Sequence, residues 1–332
     1  MSLPEVEILL ATYNGERFLR EQIDSLLAQD YENIRILARD DGSSDGTVEI
    51  LQQYAERVPD RFQLMPASPA TGSAKQNFLL LMKASSADYI CFSDQDDVWL
   101  PDKVSRTKQA MDQLESQWGR KGPLLVFSDL QLVDEQLKVL YESFWTRMNI
   151  DPDRINRIPE LMVQSVVTGC TAMLNRPMLD LAVRMPEEAF MHDRWIGLLA
   201  SFMGRSGIVR TQTVLYRQHE HNVLGTGRNA TGTAVTQRSR SLLERMRGPD
   251  ITAAHVSLWN ISQQDARAFL TEHGSELTAP KRDLLKAFLC CQTSRSGFIR
   301  IVTFIRYGFY YPGLRLNLSM ALHLWKMKAD EC

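Results

Sequence analysis

Cysteine is scarce in this chain, and its number is odd. The five residues Cys91, Cys170, Cys290, Cys291 and Cys332 fit neither a zinc-ligand spacing nor a disulfide framework, and so point to a reducing cytoplasm. No uninterrupted apolar run reaches membrane-spanning length. The start, Met1-Ser2-Leu3-Pro4-Glu5, has neither the basic opening nor the apolar core of a secretory signal. Charge of one sign is also missing: a net charge of −2 argues against a nucleic-acid partner held by bulk electrostatics. There is no internal repeat or low-complexity tract. What is present, 332 residues with 44% hydrophobic and 23% charged, is an ordinary folded composition, long enough for one large domain plus an appendage.

The opening alternates between short apolar runs and helical spacing. Val6 to Thr12 reads as a strand buried on both faces, Tyr13-Asn14-Gly15 breaks it, and Phe18, Leu19, Ile23, Leu26 and Leu27 recur at helical intervals. Ile34 to Ala38 is a second strand ending in Arg39-Asp40-Asp41-Gly42-Ser43, and Val48, Leu51 and Ala55 restart a helix. Strand, helix, strand, helix predicts a right-handed parallel unit, in which ligands sit beyond the carboxyl ends of the strands.

A third strand, Tyr89 to Ser93, ends in Asp94-Gln95-Asp96-Asp97, closed by Val98 and Trp99 before Pro101 opens a helix. Three carboxylates in four positions repel one another unless a cation sits among them. A hard divalent ion, Mn2+ or Mg2+, is the common remedy, and it usually shares a site with substrate phosphates. Each polar loop alone is equally well a solvated turn or cap. Three at one sheet edge predict a binding site.

Further candidates follow in order. Lys75, at the start of an apolar helix, is either a phosphate or base contact or an exposed first-turn lysine. Ser128-Asp129 is read as the end of another strand and a fourth loop on the same edge, and residues 141–165 as an irregular cover over substrate. Val166 to Leu174 reads as a strand interrupted by Gly169, where a backbone can approach closely. Met191-His192-Asp193-Arg194-Trp195 introduces a buried helix, and Asp193 is either its cap or a carboxylate with tunable basicity. In Tyr216-Arg217-Gln218-His219-Glu220-His221, either histidine is a candidate for a metal or diphosphate, and Arg217 for phosphate oxygens. From Arg238 onward helical patterning dominates, and between Lys281 and Lys328 nine basic residues face one acid, Asp283, among many aromatics. That pattern fits an interfacial membrane contact or a solvated helical appendage.

Taken together, Ala11-Thr12-Tyr13-Asn14, Asp40-Asp41-Gly42-Ser43-Ser44-Asp45-Gly46-Thr47, Asp94-Gln95-Asp96-Asp97-Val98-Trp99-Leu100-Pro101-Asp102-Lys103 and His192-Asp193 resemble the inverting glycosyltransferases of family 2. Asp-Gln-Asp-Asp-Val-Trp with the later Tyr216-Arg217-Gln218-His219 is similar to the bacterial rhamnosyltransferase branch. The resemblance covers about Val6 to Asn222. It implies an α/β GT-A fold, a Rossmann-like, mostly parallel sheet flanked by helices, over residues 1–222, then a linker at 223–240 and a helical, basic and aromatic region at 241–332.

For the site, the resemblance implies that Thr12 and Tyr13 frame the nucleoside, that Asp41 accepts from the base and that Asp94 lies near the ribose, with Asn14 and Lys75 as further candidates for the donor nucleotide. It implies that Asp96 holds the metal, a register that Asp97 leaves open, and that Asp193 is the catalytic base; His219 is a further candidate ligand from its own segment. Arg217, His192 and Trp195 are candidates for the diphosphate or acceptor, and His192 stands where the family more usually has Glu. No Gln-X-X-Arg-Trp motif follows Asp193, which favours transfer of a single sugar over polymer synthesis. The implied partners are a dTDP- or UDP-sugar and a glycan or lipid-linked acceptor in cell-surface polysaccharide synthesis. The implied location is the cytoplasm, with the C-terminal region as a candidate contact to the inner membrane face. The alternatives are a non-catalytic nucleotide-sugar-binding scaffold and a haloacid-dehalogenase-type phosphatase using Asp94 as nucleophile.

Overall fold

The computed structural model describes residues 4–219 and 251–327. The expected boundary at 222, the linker 223–240, His221 and Lys328 lie outside these described residues. In chain order the first half runs β1 (Val6–Thr12), α1 (Glu16–Leu27), β2 (Ile34–Asp40), α2 (Thr47–Arg57), β3 (Phe62–Leu64), α3 (Ala74–Ala84), β4 (Tyr89–Ser93), β5 (Val98–Trp99) and α4 (Lys103–Trp118). The second half adds β6 (Leu124–Val133), β7 (Val139–Tyr141), α5 (Phe144–Met148), α6 (Ile158–Val163), β8 (Met173–Asn175), α7 (Arg176–Ala182), α8 (His192–Met203) and β9 (Arg205–Arg217). Among the described residues four helices follow, α9 (Ile251–His273), α10 (Ala279–Thr293), α11 (Gly297–Tyr307) and α12 (Leu314–Lys326).

The sheet order is β3-β2-β1-β4-β8-β6-β9-β5, with β7 beside β6. The β3-β2-β1-β4 half is parallel, as crossover helices require, and it brings the ends of β1, β2 and β4 to one edge. Strand side chains alternate between two cores. Ile8, Leu10, Ile36 and Cys91 pack with Leu19, Ile23 and Leu26 of α1 and Met111 of α4, whereas Leu9, Leu37, Ile90 and Phe92 join Phe78 and Met82 of α3 and the α8 side. Both faces are therefore dry, which is why these strands read as continuous apolar runs.

β8 joins the halves, antiparallel to both β4 and β6. β9 lies parallel to β6 and antiparallel to β5, so the chain after Val214 runs beside the acidic loop. The acidic loop follows β4, behind a complete strand–helix–strand unit, and not the first strand as the phosphatase alternative requires.

Two expected elements differ. The stretch 166–174 is not one strand: Gly169–Thr171 form a 3-10 turn, held by the Thr171 hydroxyl and amide donating to the Thr168 carbonyl, and only Met173–Asn175 pair. β6 does not end at Asp129, which instead sits at a register shift against β9. Its carboxylate accepts from the amides of Leu130 and Trp145, the Ser143 hydroxyl and the Gln212 amide, so it anchors the following segment and is no edge loop.

Helices α9 to α12 share a core with the sheet domain, since Trp259, Phe269, Phe288 and Phe304 cluster with Phe92, Phe127 and Trp195. A buried ion pair, Arg194 Nε to Asp265 Oδ2 at 2.6 Å, fastens α9 to the first turn of α8. Part of the expected basic face is internal. Lys281 donates to the Phe202 carbonyl, Arg282 to those of Gly274 and Leu277, and buried Arg300 to those of Ser294, Leu324 and Met327.

Candidate active site

The loops after β1, β2 and β4 brace one another. Gln95 is the clasp between the first and third: its carbonyl accepts from the Tyr13 amide at 2.7 Å, and its own amide donates to the Tyr13 carbonyl at 2.9 Å. A Cβ on Gly15 would lie 2.4 Å from Gln95 Oε1, so a side chain there would push the clasp aside. Asn14, in the left-handed region at φ 48°, takes the Ser44 amide on its side chain and gives its own amide to Ser43. The Thr12 hydroxyl donates to Asp40, whose other oxygen accepts from the amides of Gly42 and Ser43. Thr12 and Asn14 thus hold the loops in place, while Tyr13, 57% exposed, offers a free ring.

Asp41 lies at the floor between these loops. Its Oδ1 accepts from Arg39 at 2.8 Å and from the Thr71 amide, and Oδ2 takes a single bond from the Thr71 hydroxyl. Burial raises its pKa, but Arg39 and Thr71 outweigh burial and hold it below the usual carboxylate range. It is a charged acceptor with capacity left on Oδ2.

The three aspartates of the acidic loop have different fates. Asp96 is partly exposed, and its Oδ2 lies 2.7 Å from His219 Nε2. Asp94 is half-buried, and burial first, then Asp96 and Asp193, push its pKa up to about 7. Asp97, expected among the metal ligands, is 0% exposed. The pairing of β5 with β9 turns it inward, where Oδ1 accepts the Arg217 amide at 3.1 Å. Burial, then Asp96 and Asp94, raise its pKa well above the usual range. Asp94, Asp97 and Cys170 bring ligand atoms within 4.8 Å of one another. Burial keeps the Cys170 thiol protonated, with Asp97 adding to it, so it is a poor partner for a hard cation.

Asp193 opens α8, beside the 3-10 turn that carries Cys170. Its Oδ2 accepts the Gly169 amide at 3.3 Å and Oδ1 its neighbour's amide, that of Arg194, at 2.7 Å. A Cβ on Gly169 would stand 2.7 Å from His192 Nε2 and 3.6 Å from Asp193 Cβ. The close backbone approach foreseen at Gly169 is thus made to protein groups.

Several expected contacts are engaged elsewhere. His192 is buried between Phe78 and Phe92, with ring centroids at 4.3 and 5.0 Å and no hydrogen-bond partner for either ring nitrogen. Burial lowers its pKa and keeps it neutral. Trp195 is core, packed on Phe269 and His273. Neither is available to a diphosphate or acceptor, because both point into the apolar layer that α8 shares with α3 and α9. Arg217 is buried too, pairing with Glu21 at 2.5 Å and donating to the carbonyls of Asp96 and Glu135. Lys75 donates to the carbonyls of Glu187 and Ala189 at 2.5 and 2.6 Å, tying α3 to the segment before Asp193. The sequence reading missed Gln95, Thr71 and Asp265, all of which act through partners distant in the chain.

Asp94 and Asp96 supply carboxylate oxygens and His219 an imidazole, a combination suited to Mn2+ or Mg2+. Oδ2 of Asp97 is one more carboxyl oxygen of the acidic loop, buried and without a hydrogen-bond partner. The residue types fit a cation that Asp94 and Asp96 would hold, with His219 beside Asp96.

Residues 7–118 match the family model described as Glycosyl transferase family 2. The chain is 29% identical over 227 residues to the dTDP-rhamnosyl transferase RfbG of Shigella flexneri, covering 65% of this chain and 73% of that one. It is 25% identical over 238 residues to an uncharacterized glycosyltransferase of Rickettsia typhi, covering 70% and 68%. The crystal structure of S. aureus TarS in complex with UDP-GlcNAc superposes with a TM-score of 0.57 at 14% identity, covering 91% of this chain and 80% of that one. At that identity the likeness is one of fold, and the fold is GT-A.

Proposed function

We propose that the chain, whose residues 7–118 match the family 2 glycosyltransferase model, is a transferase of that family that moves one sugar with inversion from a dTDP- or UDP-linked donor. The proposed donor is dTDP-L-rhamnose, supported by the likeness to a dTDP-rhamnosyl transferase over 65% of the chain. The proposed acceptor is a hydroxyl of a glycan or lipid-linked glycan in cell-surface polysaccharide synthesis.

One observation carries the reading: Asp94 and Cys170 bring ligand atoms within 4.8 Å of one another, and Gly169, the neighbour of Cys170, donates its amide to Asp193, so the acidic loop and the opening of α8 are adjacent. In this reading Tyr13 flanks the nucleoside, Asp41 accepts from the base through Oδ2, and Asp94 lies by the ribose. Asp96 and His219 hold the ion. A bound Mn2+ or Mg2+ would act as a Lewis acid toward the charge that develops on the departing diphosphate. Asp193 takes the proton of the acceptor hydroxyl as that oxygen attacks the anomeric carbon from the face opposite the diphosphate. Its two amide donors, Gly169 and Arg194, hold the carboxylate in orientation.

The test is donor turnover by the purified full chain with dTDP-rhamnose, UDP-glucose and GDP-mannose, in Mn2+ or in EDTA. Mn2+-dependent release of nucleotide, largest with the dTDP donor, is the expected result. Absence of release from every donor contradicts the transferase reading, and release that is equal in EDTA contradicts the ion.

A further inference from the structure

Helices α11 and α12 lie antiparallel. The Arg300 guanidinium near the start of α11 donates to the carbonyls of Leu324 and Met327 at the end of α12, and a Cβ on Gly297 would stand 2.8 Å from the Trp325 carbonyl. Each helix buries one side, Phe304 with Arg300 on α11 and Met320 with Leu324 on α12. A surface helix ordinarily sets polar residues opposite its buried side. Here the opposite sides are apolar.

On α11 the outward residues are Phe298, 67% exposed, with Ile299, Val302 and Ile305. On α12 they are Leu314, 75% exposed, then Leu318, Leu322 and Trp325, at a spacing that keeps them on one row. The antiparallel pairing sets Phe298 at the same end as Trp325, and Ile305 at the same end as Leu314. Arg295, Arg306, Arg315 and Lys326 are exposed around this face, and no Asp or Glu occurs from 284 to 329.

We propose that the outer face of α11 and α12 docks on an anionic lipid bilayer, its apolar rows entering the headgroup boundary and Arg306, Arg315 and Lys326 meeting lipid phosphates. The charge decides the occupant. A second copy of the chain would set these basic residues against the same basic residues, with no Asp or Glu between 284 and 329 to pair them, whereas an anionic surface complements every one of them. No described helix is long and apolar enough to cross a membrane, so the pair would lie along the surface. The inference rests on the proposed membrane-borne acceptor in one respect only: docking brings the active site to its substrate.

Flotation of the full chain with vesicles of phosphatidylcholine alone or mixed with phosphatidylglycerol tests it, alongside donor hydrolysis in vesicle-free solution. We expect binding to the mixed vesicles that weakens as salt is raised. It should fall by about tenfold or more both in Leu318→Ser/Leu322→Ser/Trp325→Ser and in Arg306→Glu/Arg315→Glu/Lys326→Glu. The charge-reversal variant keeps every apolar side chain and reports on lipid attraction even if the triple serine variant folds poorly. Donor hydrolysis in solution should not change in either variant. Equal binding to neutral and anionic vesicles, or none to either, overturns the proposal. So does a concentration-dependent oligomer in solution that the serine variant dissociates, which would assign the face to a second copy. Because hydrolysis is read without vesicles, failure of docking and failure of the transferase reading are told apart.

Discussion

Nε2 of His219 stands 2.7 Å from Oδ2 of Asp96, across a separation of 123 residues. The antiparallel pairing of β5 with β9 makes this meeting, since Val98 opposite Leu215 carries the chain after β9 back along the acidic loop. In the proposed reading His219 partners Asp96 in holding an ion. In His219→Ala, Mn2+-dependent affinity for dTDP should fall about tenfold or more, while affinity in EDTA stays as in the parent. Calorimetric titration under both conditions reads this, and an unchanged Mn2+ increment removes His219 from the role.

Asp94 gives a pH dependence of unusual sign. Its folded pKa of about 7 lies above the unfolded value of about 3.9, so between those values the folded chain holds a proton that the unfolded chain has released. Unfolding free energy contributed by this group therefore falls as pH rises from about 4 to about 7. Without divalent ions, wild type should lose stability across that window relative to Asp94→Asn, and Mn2+ should raise the melting temperature more at pH 8 than at pH 5. Parallel curves for the two proteins would show that the carboxyl is not perturbed.

Gly169→Ala tests the support of Asp193. The added methyl must displace His192 or the first turn of α8, because Nε2 stands 2.7 Å from its position. We expect a loss of about 1–3 kcal/mol in stability. Turnover should fall by more than donor affinity does. Urea unfolding and initial rates measure the two effects.

The pair of Arg194 and Asp265 welds α9 to the helix that carries Asp193. Asp265→Ala leaves a buried guanidinium whose remaining partners are the Ser262 hydroxyl and the Met162 carbonyl. Unfolding free energy should drop by about 3–5 kcal/mol. A drop below about 1 kcal/mol, the level of a surface pair, would mean that the two helices are fastened by apolar packing alone.

Much of this arrangement is legible in the chain. β1, β2 and β4 are buried on both faces, so they announce themselves as apolar runs, and the loops at their ends hold the residues that meet at one edge. What escaped is direction and partnership. His192 and Trp195 share a helix start with Asp193, and nothing in residue type says that of the three only Asp193 stays partly exposed. Arg217 and Lys75 read as phosphate ligands because they are cationic, yet main-chain carbonyls consume them. Asp97 is indistinguishable from Asp96 in a string of acids until β9 seals one of them in. Asp265 lies in a helix whose only sequence signal is its periodicity.

The account turns on Asp193 as the group that receives the acceptor proton. Turnover and donor affinity of Asp193→Asn, measured with the same dTDP-rhamnose and Mn2+, test it most directly. The account predicts a rate lower by about 10²- to 10⁴-fold with donor affinity unchanged. A rate near that of the parent would contradict it.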